Sequence, residues 1–495
     1  MTTSNTEKMF CCFIIDDNQI LGELLLDGED SKLNLSSRKQ IPYNPEPHTL
    51  FGESIDHRKI SLYKCVGQSP FPEGIYPLPV FKRETFPHYA LIGSKHFSWN
   101  EPVFNTVTFK TDDLGLLYSQ RGSIGSALVD SEKLKDTIGK TPTTKNFDPE
   151  NHTVIYYFTE NTPPSPVNLK IGEFSIKTTV TGNASDITGI SCIKETTATI
   201  TYDTPKALDQ IINDVTDILD FLTTITGRSQ GIQDLYVNTS KNSCNAVSTQ
   251  SDATLVHWSL APTSVGSSLQ SRWDMPVTPD TFEEMFSNVF RNWIHRHDEW
   301  CIARSRILHS QRNGTYYDEN RLIAAANAFD LLPDSSYPEV GKLTEETTLK
   351  KERCKEIIME MKHGDERSQI LGTLNFWGSK LMDKILYKSK IVQEKFNNHF
   401  QGLEDVLKIA LKARNFYVHG SDYGHKFYEE LTTFLTDTLE FVFIAADLIE
   451  CGWDASQWVN QGHGVGHPLA RYLHLYPSEI IRFNTAKALV STSNR

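Results

Sequence analysis

Arg414 and His419 stand five residues apart near the end of the run L-E-D-V-L-K-I-A-L-K-A-R-N-F-Y-V-H-G, Leu403 to Gly420. The two side-chain types together suit phosphodiester chemistry that needs no metal ion. Arginine stays charged at any working pH, and its planar fork holds two phosphate oxygens at once. Histidine exchanges protons near neutrality. When a ribose 2′-hydroxyl attacks the adjacent phosphorus, one group must take the hydroxyl proton and another must protonate the departing 5′-oxygen. A cation must stabilise the charge that gathers on the phosphorane. The pair supplies one cation and one acid-base group.

The helix that carries them must also position them. At ~100° per residue, Leu403, Val406, Leu407, Ala410, Tyr417 and Val418 share one face, and Arg414 projects from the middle of it. A guanidinium among core residues has to be paired, hydrogen-bonded or turned into a lined cavity, because an unpaired buried charge is costly. Gly420 is the residue type that ends helices by taking positive φ. It places His419 at a helix terminus, either facing a cleft or serving as a simple C-terminal cation. Asn415 is either an orienting hydrogen-bond donor or a residue favouring the helix end. Tyr417 can stack on a base, although its place on the apolar stripe favours core packing. Lys408, Lys412 and, beyond a turn at Ser421–Gly424, His425 and Lys426 are candidate phosphate contacts, or else solvated charges on the helix surface.

Spacing alone does not single out this pair. Arg83 with His88, Arg291 with His297 and Arg304 with His309 also fit R-x4-6-H. The first contains Pro87 and is expected in a loop between strands. The other two fall within one continuous helix starting near Thr278, where the arginines are expected to face solvent. Only Arg414 sits on an apolar stripe, precedes a polar residue, and leads into His, Gly, a short turn and a long final helix.

Those helices occupy the second part of the chain. They are expected from Thr278, over Asp318–Leu332, Thr344–Lys362, Asp365–Lys395 and Leu403–His419, and from about His425 to Glu450. The last has a stripe of Phe427, Leu431, Phe434, Leu435, Leu439, Val442, Ala446 and Ile449, heavy enough for a bundle core or a dimer seam. The remaining residues show no clear period. Before Thr278 the pattern is one of short β-branched and aromatic runs broken by Gly, Pro, Asn and Asp, expected as strands of a sandwich or curled sheet. These include Met9–Ile15, Ile20–Leu26, Ile60–Val66, Val103–Lys110 and Leu114–Ser119. One clear helix opens at Thr204-Pro205 and ends at Gly227.

A chain of 495 residues is too long for one core. Its net charge of −13 argues against a general nucleic-acid coat or a protein held on anionic membranes, without excluding a local basic cleft. Eight scattered cysteines, with no C-x-x-C, indicate neither a zinc knuckle nor a disulfide framework. His295-x-His297 and His463-x-x-x-His467 have ligand-like spacings but no acid or cysteine at a telling offset, so no metal site is expected. The start of the chain lacks a secretory pattern and no stretch approaches a membrane span, which leads us to expect a cytoplasmic protein.

Arg414-Asn415-Phe416-Tyr417-Val418-His419 resembles the R-x4-6-H signature of HEPN-domain ribonucleases, in which a polar residue follows the arginine. The layout of a β-rich half followed by helices resembles the ApeA family of prokaryotic anti-phage proteins. The resemblance implies an α+β multidomain chain. Residues 1–272 would form a β-rich, sandwich-like sensing or regulatory domain, 273–455 an all-α HEPN helical bundle, and 456–495 a C-terminal tail. It implies an endoribonuclease needing neither metal nor other cofactor, with Arg414, His419 and Asn415 catalytic and Lys412, Tyr417, His425 and Lys426 binding RNA. HEPN-like packing would also set Asp330, near the end of the helix expected over Asp318–Leu332, against the Arg414 guanidinium. A homodimer through the HEPN domain, or a higher oligomer, would gather two motifs around one scissile phosphate. The substrate would be RNA, with tRNA an expected target. The setting would be abortive anti-phage defence with a phage-derived trigger and no membrane. From the residues alone, the alternative is a non-catalytic dimeric helical scaffold whose β domain binds a protein or ligand.

Overall fold

The computed structural model describes residues 6–73, 79–118, 124–128, 154–158, 164–185, 189–240, 253–263, 272–279, 283–312, 314, 316–338, 344–375, 381–420 and 425–493. The chain divides into two compact units, Met1–Gly266 with Val277–Ile294, and Ser267–Pro276 with His295–Arg495.

The first unit is β-rich, as expected. Its strands are β1 (Glu7–Ile15), β2 (Asn18–Leu26), β3 (Lys32–Ser37), β4 (His48–Ser54), β5 (Lys59–Gly67), β6 (Phe71–Glu73), β7 (Val80–Phe86), β8 (Tyr89–Gly93) and β9 (Phe104–Thr111). After helix α1 (Leu114–Leu117) come β10 (Ile124–Leu128), β11 (Val154–Phe158), β12 (Val167–Leu169), β13 (Gly172–Ser185) and β14 (Gly189–Lys206). Helix α2 (Leu208–Thr226) then precedes β15 (Ile232–Asn238) and β16 (Thr254–Trp258). The pairings are antiparallel. β5 bonds to β4, β8 and also β7, so β1, β2, β3, β7, β5 and β4 close into a barrel. From β5 the sheet runs on through β8, β16, β15, β9, β14 and β13 to β12.

Alternation builds the barrel core. Met9, Cys11 and Phe13 on β1 point inward with Ile20, Leu24 and Leu26 on β2, while Phe10 and Ile14 face out. The Phe13 ring fills the space left by two glycines on neighbouring strands. A Cβ on Gly52 would come within 2.6 Å of it and one on Gly22 within 3.3 Å. Leu114–Ser119 was expected as a strand, but Leu114–Leu117 forms one helical turn whose Leu114 and Leu117 are fully buried. The helix expected from Thr204-Pro205 begins at Leu208, because β14 continues to Lys206. Gly227 does end it, at φ +70°.

The second unit is helical. The long α3 (Glu283–Arg312) has its first residues in the first unit and the rest here. It is followed by α4 (Glu319–Asp330), α5 (Glu345–Met359), α6 (Asp365–Asn375), α7 (Leu381–Lys395), α8 (Leu403–His419), α9 (His425–Glu450), α10 (Ala455–Val459) and α11 (Pro468–Ser493). α9 lies at the centre, with α4, α7, α8 and α11 packed around it. Of its expected stripe, Leu431, Phe434, Leu435, Leu439, Val442 and Ala446 are buried, whereas Phe427 and Ile449, at the two ends of the helix, are only partly covered. The region expected to lack a period carries the 26-residue α11. Its Tyr472 stacks on Phe441 at 4.3 Å, and Phe483 is fully buried. No described helix is long and apolar enough to cross a membrane.

Candidate active site

α8 starts after Gly402 at φ +79°, with Glu404 and Asp405 in its first turn, where the positive end of the helix dipole favours acids. Asp405 also accepts from Lys487 of α11 at 2.9 Å. Leu403, Val406, Leu407, Ala410, Leu411 and Ala413 are buried. The apolar stripe then runs out sooner than its period implies. Arg414 through Tyr417 are half-buried, Val418 is 43% exposed, and His419 is exposed. Arg414 therefore sits at the margin of the core rather than within it. Gly420 closes the helix at φ +66°, its N–H donating to the Phe416 carbonyl at 2.7 Å.

The Arg414 guanidinium is held by amides. Its Nε and Nη2 donate to Asn327 Oδ1 of α4, at 3.2 and 2.9 Å, and its Nη1 donates to Asn415 Oδ1 at 3.1 Å. A guanidinium only donates, so both amide oxygens must face it and both NH₂ groups turn away. One hydrogen remains on each terminal nitrogen of the fork. Among the described residues no carboxylate lies within ion-pair distance of Arg414. The expected partner, Asp330, instead accepts from Lys384 of α7 at 3.2 Å.

His419 is the last residue of α8, and its imidazole has no hydrogen-bond partner among the described residues. Asn415 accepts from Arg414 through Oδ1, which leaves its NH₂ group facing away from the fork. The Tyr417 hydroxyl lies 3.5 Å from Thr432 Oγ1 of α9, and its ring leans on Phe416 at 5.3 Å. Lys412 is exposed. His425 and Lys426 open α9, but their side chains, like the turn Ser421–Gly424, lie outside the described residues.

The rival arginines have different fates. Arg304, expected to face solvent, is 2% exposed. It makes a two-pronged bond to Asp447 of α9, at 2.8 Å on each prong, and donates to His297 Nδ1 at 3.3 Å. Arg296 is also mostly covered, donating to Glu450 at 2.6 Å with its guanidinium 3.9 Å over the Trp300 ring. A helical signal for this existed: Arg296 and Arg304 flank Trp300 four residues on either side, on the buried face of α3. Arg83 is not in a loop. It points inward from β7, donating to the Pro42 carbonyl at 2.7 Å and to His48 at 3.1 Å. A further buried pair had no local signal: Arg321 on α4 grips Glu440 on α9 with two 2.8 Å bonds.

Among the described residues no three His, Cys, Asp or Glu side chains converge as metal ligands would. His297 is engaged by Arg304, and His467 Nδ1 accepts the Leu469 N–H at 3.1 Å. Burial pushes the thiols of Cys11, Cys65 and Cys451 up to about 12, far from reactive thiolates.

Of the residues singled out in the sequence, the fold thus brings Arg414, Asn415 and His419 to one helix end. It adds Asn327, which no local pattern marked. A family model described as ApeA N-terminal domain 1 matches residues 13–293. A second, described as Apea-like HEPN, matches residues 323–457, a span that includes α8 and Asn327. No curated protein and no solved structure matches the chain.

Proposed function

The chain belongs to the ApeA family and carries an Apea-like HEPN domain, and from that premise we propose that it is a metal-independent endoribonuclease with Arg414 and His419 at its reacting centre. One observation carries the reading. At a single helix end, a permanently charged fork that no described carboxylate neutralises lies five residues from an exposed imidazole.

In the proposed reaction the Arg414 fork takes two non-bridging phosphate oxygens. An imidazole accepts the 2′-hydroxyl proton as the O2′–P bond forms. A second imidazole donates a proton to O5′ as the P–O5′ bond breaks, leaving a 2′,3′-cyclic phosphate and a 5′-hydroxyl. One chain has one such imidazole in this motif, so a homodimer through the HEPN domain supplies the second. Lys412, His425 and Lys426 would contact flanking phosphates, and Tyr417 a base. We assign residues 1–272 a sensing or regulatory role and 273–455 the nuclease. The biological reading is abortive anti-phage defence in which RNA, tRNA among it, is cut once a phage-derived trigger arrives.

The test is cleavage of total RNA and of tRNA in EDTA by the wild type, Arg414→Ala and His419→Ala, over a range of protein concentrations. The wild type is expected to leave 5′-hydroxyl ends that a polynucleotide kinase can label, and each variant to cut at least ~100-fold more slowly. RNA equally intact with all three, after relief of any autoinhibition, would leave a helical scaffold in place of an enzyme.

A further inference from the structure

The unusual feature of Arg414 is the chemistry of what holds it. The other well-covered arginines of the helical unit are locked by acids, Arg304 by Asp447 and Arg321 by Glu440, each through two bonds. Arg414 is fixed almost as firmly, with three of its five N–H groups engaged, but by two neutral carboxamides. The nearest acid along α4, Asp330, is drawn off by Lys384. A carboxylate at the Asn327 position would give a charge-assisted pair roughly twice as strong as an amide contact, and it would cancel the charge that a phosphate needs.

We infer that Asn327 is a positioning residue for the proposed nuclease: a neutral clamp that aims the Arg414 fork while leaving its charge whole and one hydrogen on each terminal nitrogen free for a phosphate. The inference rests on the endoribonuclease reading. It predicts an inverted order of substitution effects. Asn327→Asp, which keeps the shape, harms function more than Asn327→Ala, which removes the contact. A purely structural asparagine would show the reverse.

The experiment measures binding of a single-stranded RNA against salt concentration in the full chain carrying His419→Ala, so that the RNA survives. Cleavage is measured in the otherwise native chain. Arg414→Ala comes first and is expected to lower the slope of log affinity on log salt by about 0.7, one phosphate contact. Asn327→Asp is expected to lower it equally, to cut cleavage about 100-fold, and to melt at or above the wild-type temperature. Asn327→Ala is expected to keep the slope and to lose about tenfold in kcat with KM little changed, because the fork is charged but poorly aimed. If Arg414→Ala leaves both slope and cleavage intact, the nuclease reading and the clamp fall together. If Arg414→Ala acts as expected while Asn327→Asp keeps wild-type slope and cleavage, or is milder than Asn327→Ala, the clamp alone is wrong.

Discussion

Two arginines in similar sequence settings, each with a histidine five residues on, end up in opposite circumstances. Arg304 is buried and doubly bonded to Asp447, so removing the acid strands a charge in the core. Asp447→Ala is expected to cost about 3–5 kcal/mol in urea unfolding. Arg414 lies at the core margin among amides, and Arg414→Ala is expected to stay within about 1 kcal/mol of the wild type while losing cleavage. Tyr417→Phe should leave cleavage within about twofold, because its hydroxyl contact with Thr432 at 3.5 Å is at the limit of a hydrogen bond. The sequence pattern singled out Arg414, Asn415 and His419 because a charge on an apolar stripe followed by a helix stop is a local signal. It did not reveal Asn327, which stands 87 residues upstream of Arg414 and meets it only when α4 packs on α8. Nor could a period alone show that the stripe ends before Val418, since that depends on where neighbouring helices stop.

At the level of elements, legibility followed how well inward faces alternate. β1 and β2 announce themselves by apolar residues at every second position. β7 does not, because its inward residues are Arg83 and Thr85. α11 was obscured by the glycines and histidines before it and by Pro477 within it. On α2, burial pushes the Asp214 carboxyl up from 3.8 to about 6, opposed by Lys206 and reinforced by Asp217. The folded value lies above the unfolded one, so the neutral acid favours folding. That contribution is complete below about pH 4 and disappears as pH rises through 6. Asp214→Asn is therefore expected to melt higher than the wild type at pH 7.5, with the difference closing toward pH 4. Melting curves across that range check it, and a difference independent of pH would contradict the assignment.

For the whole molecule, the division into a β-rich and a helical part was visible from the change of period alone. What could not be read was closure. Whether strands form a sandwich or a ring depends on one pairing between β5 and β7 that alternation cannot specify. The proposed two-chain site also makes a mass-action prediction. Activity per molecule should fall on dilution, in step with loss of the dimer seen by sedimentation. Specific activity constant from nanomolar to micromolar, with a monomer throughout, would contradict the paired site.

β5 has three neighbours where an ordinary strand has two, and its Ile60, Ser61 and Leu62 are wholly shielded from solvent. Along Ile60–Leu62 the strand is paired with β4 on one side and β8 on the other, so its amides come free only when those two strands leave it. In deuterated buffer, these protons should be among the last of the first unit to exchange, at a rate set by global unfolding of the ring rather than by fraying. The same seamlessness denies an incoming strand any place to add beside β5, and among the described strands of this sheet the open edges are β6 and β12.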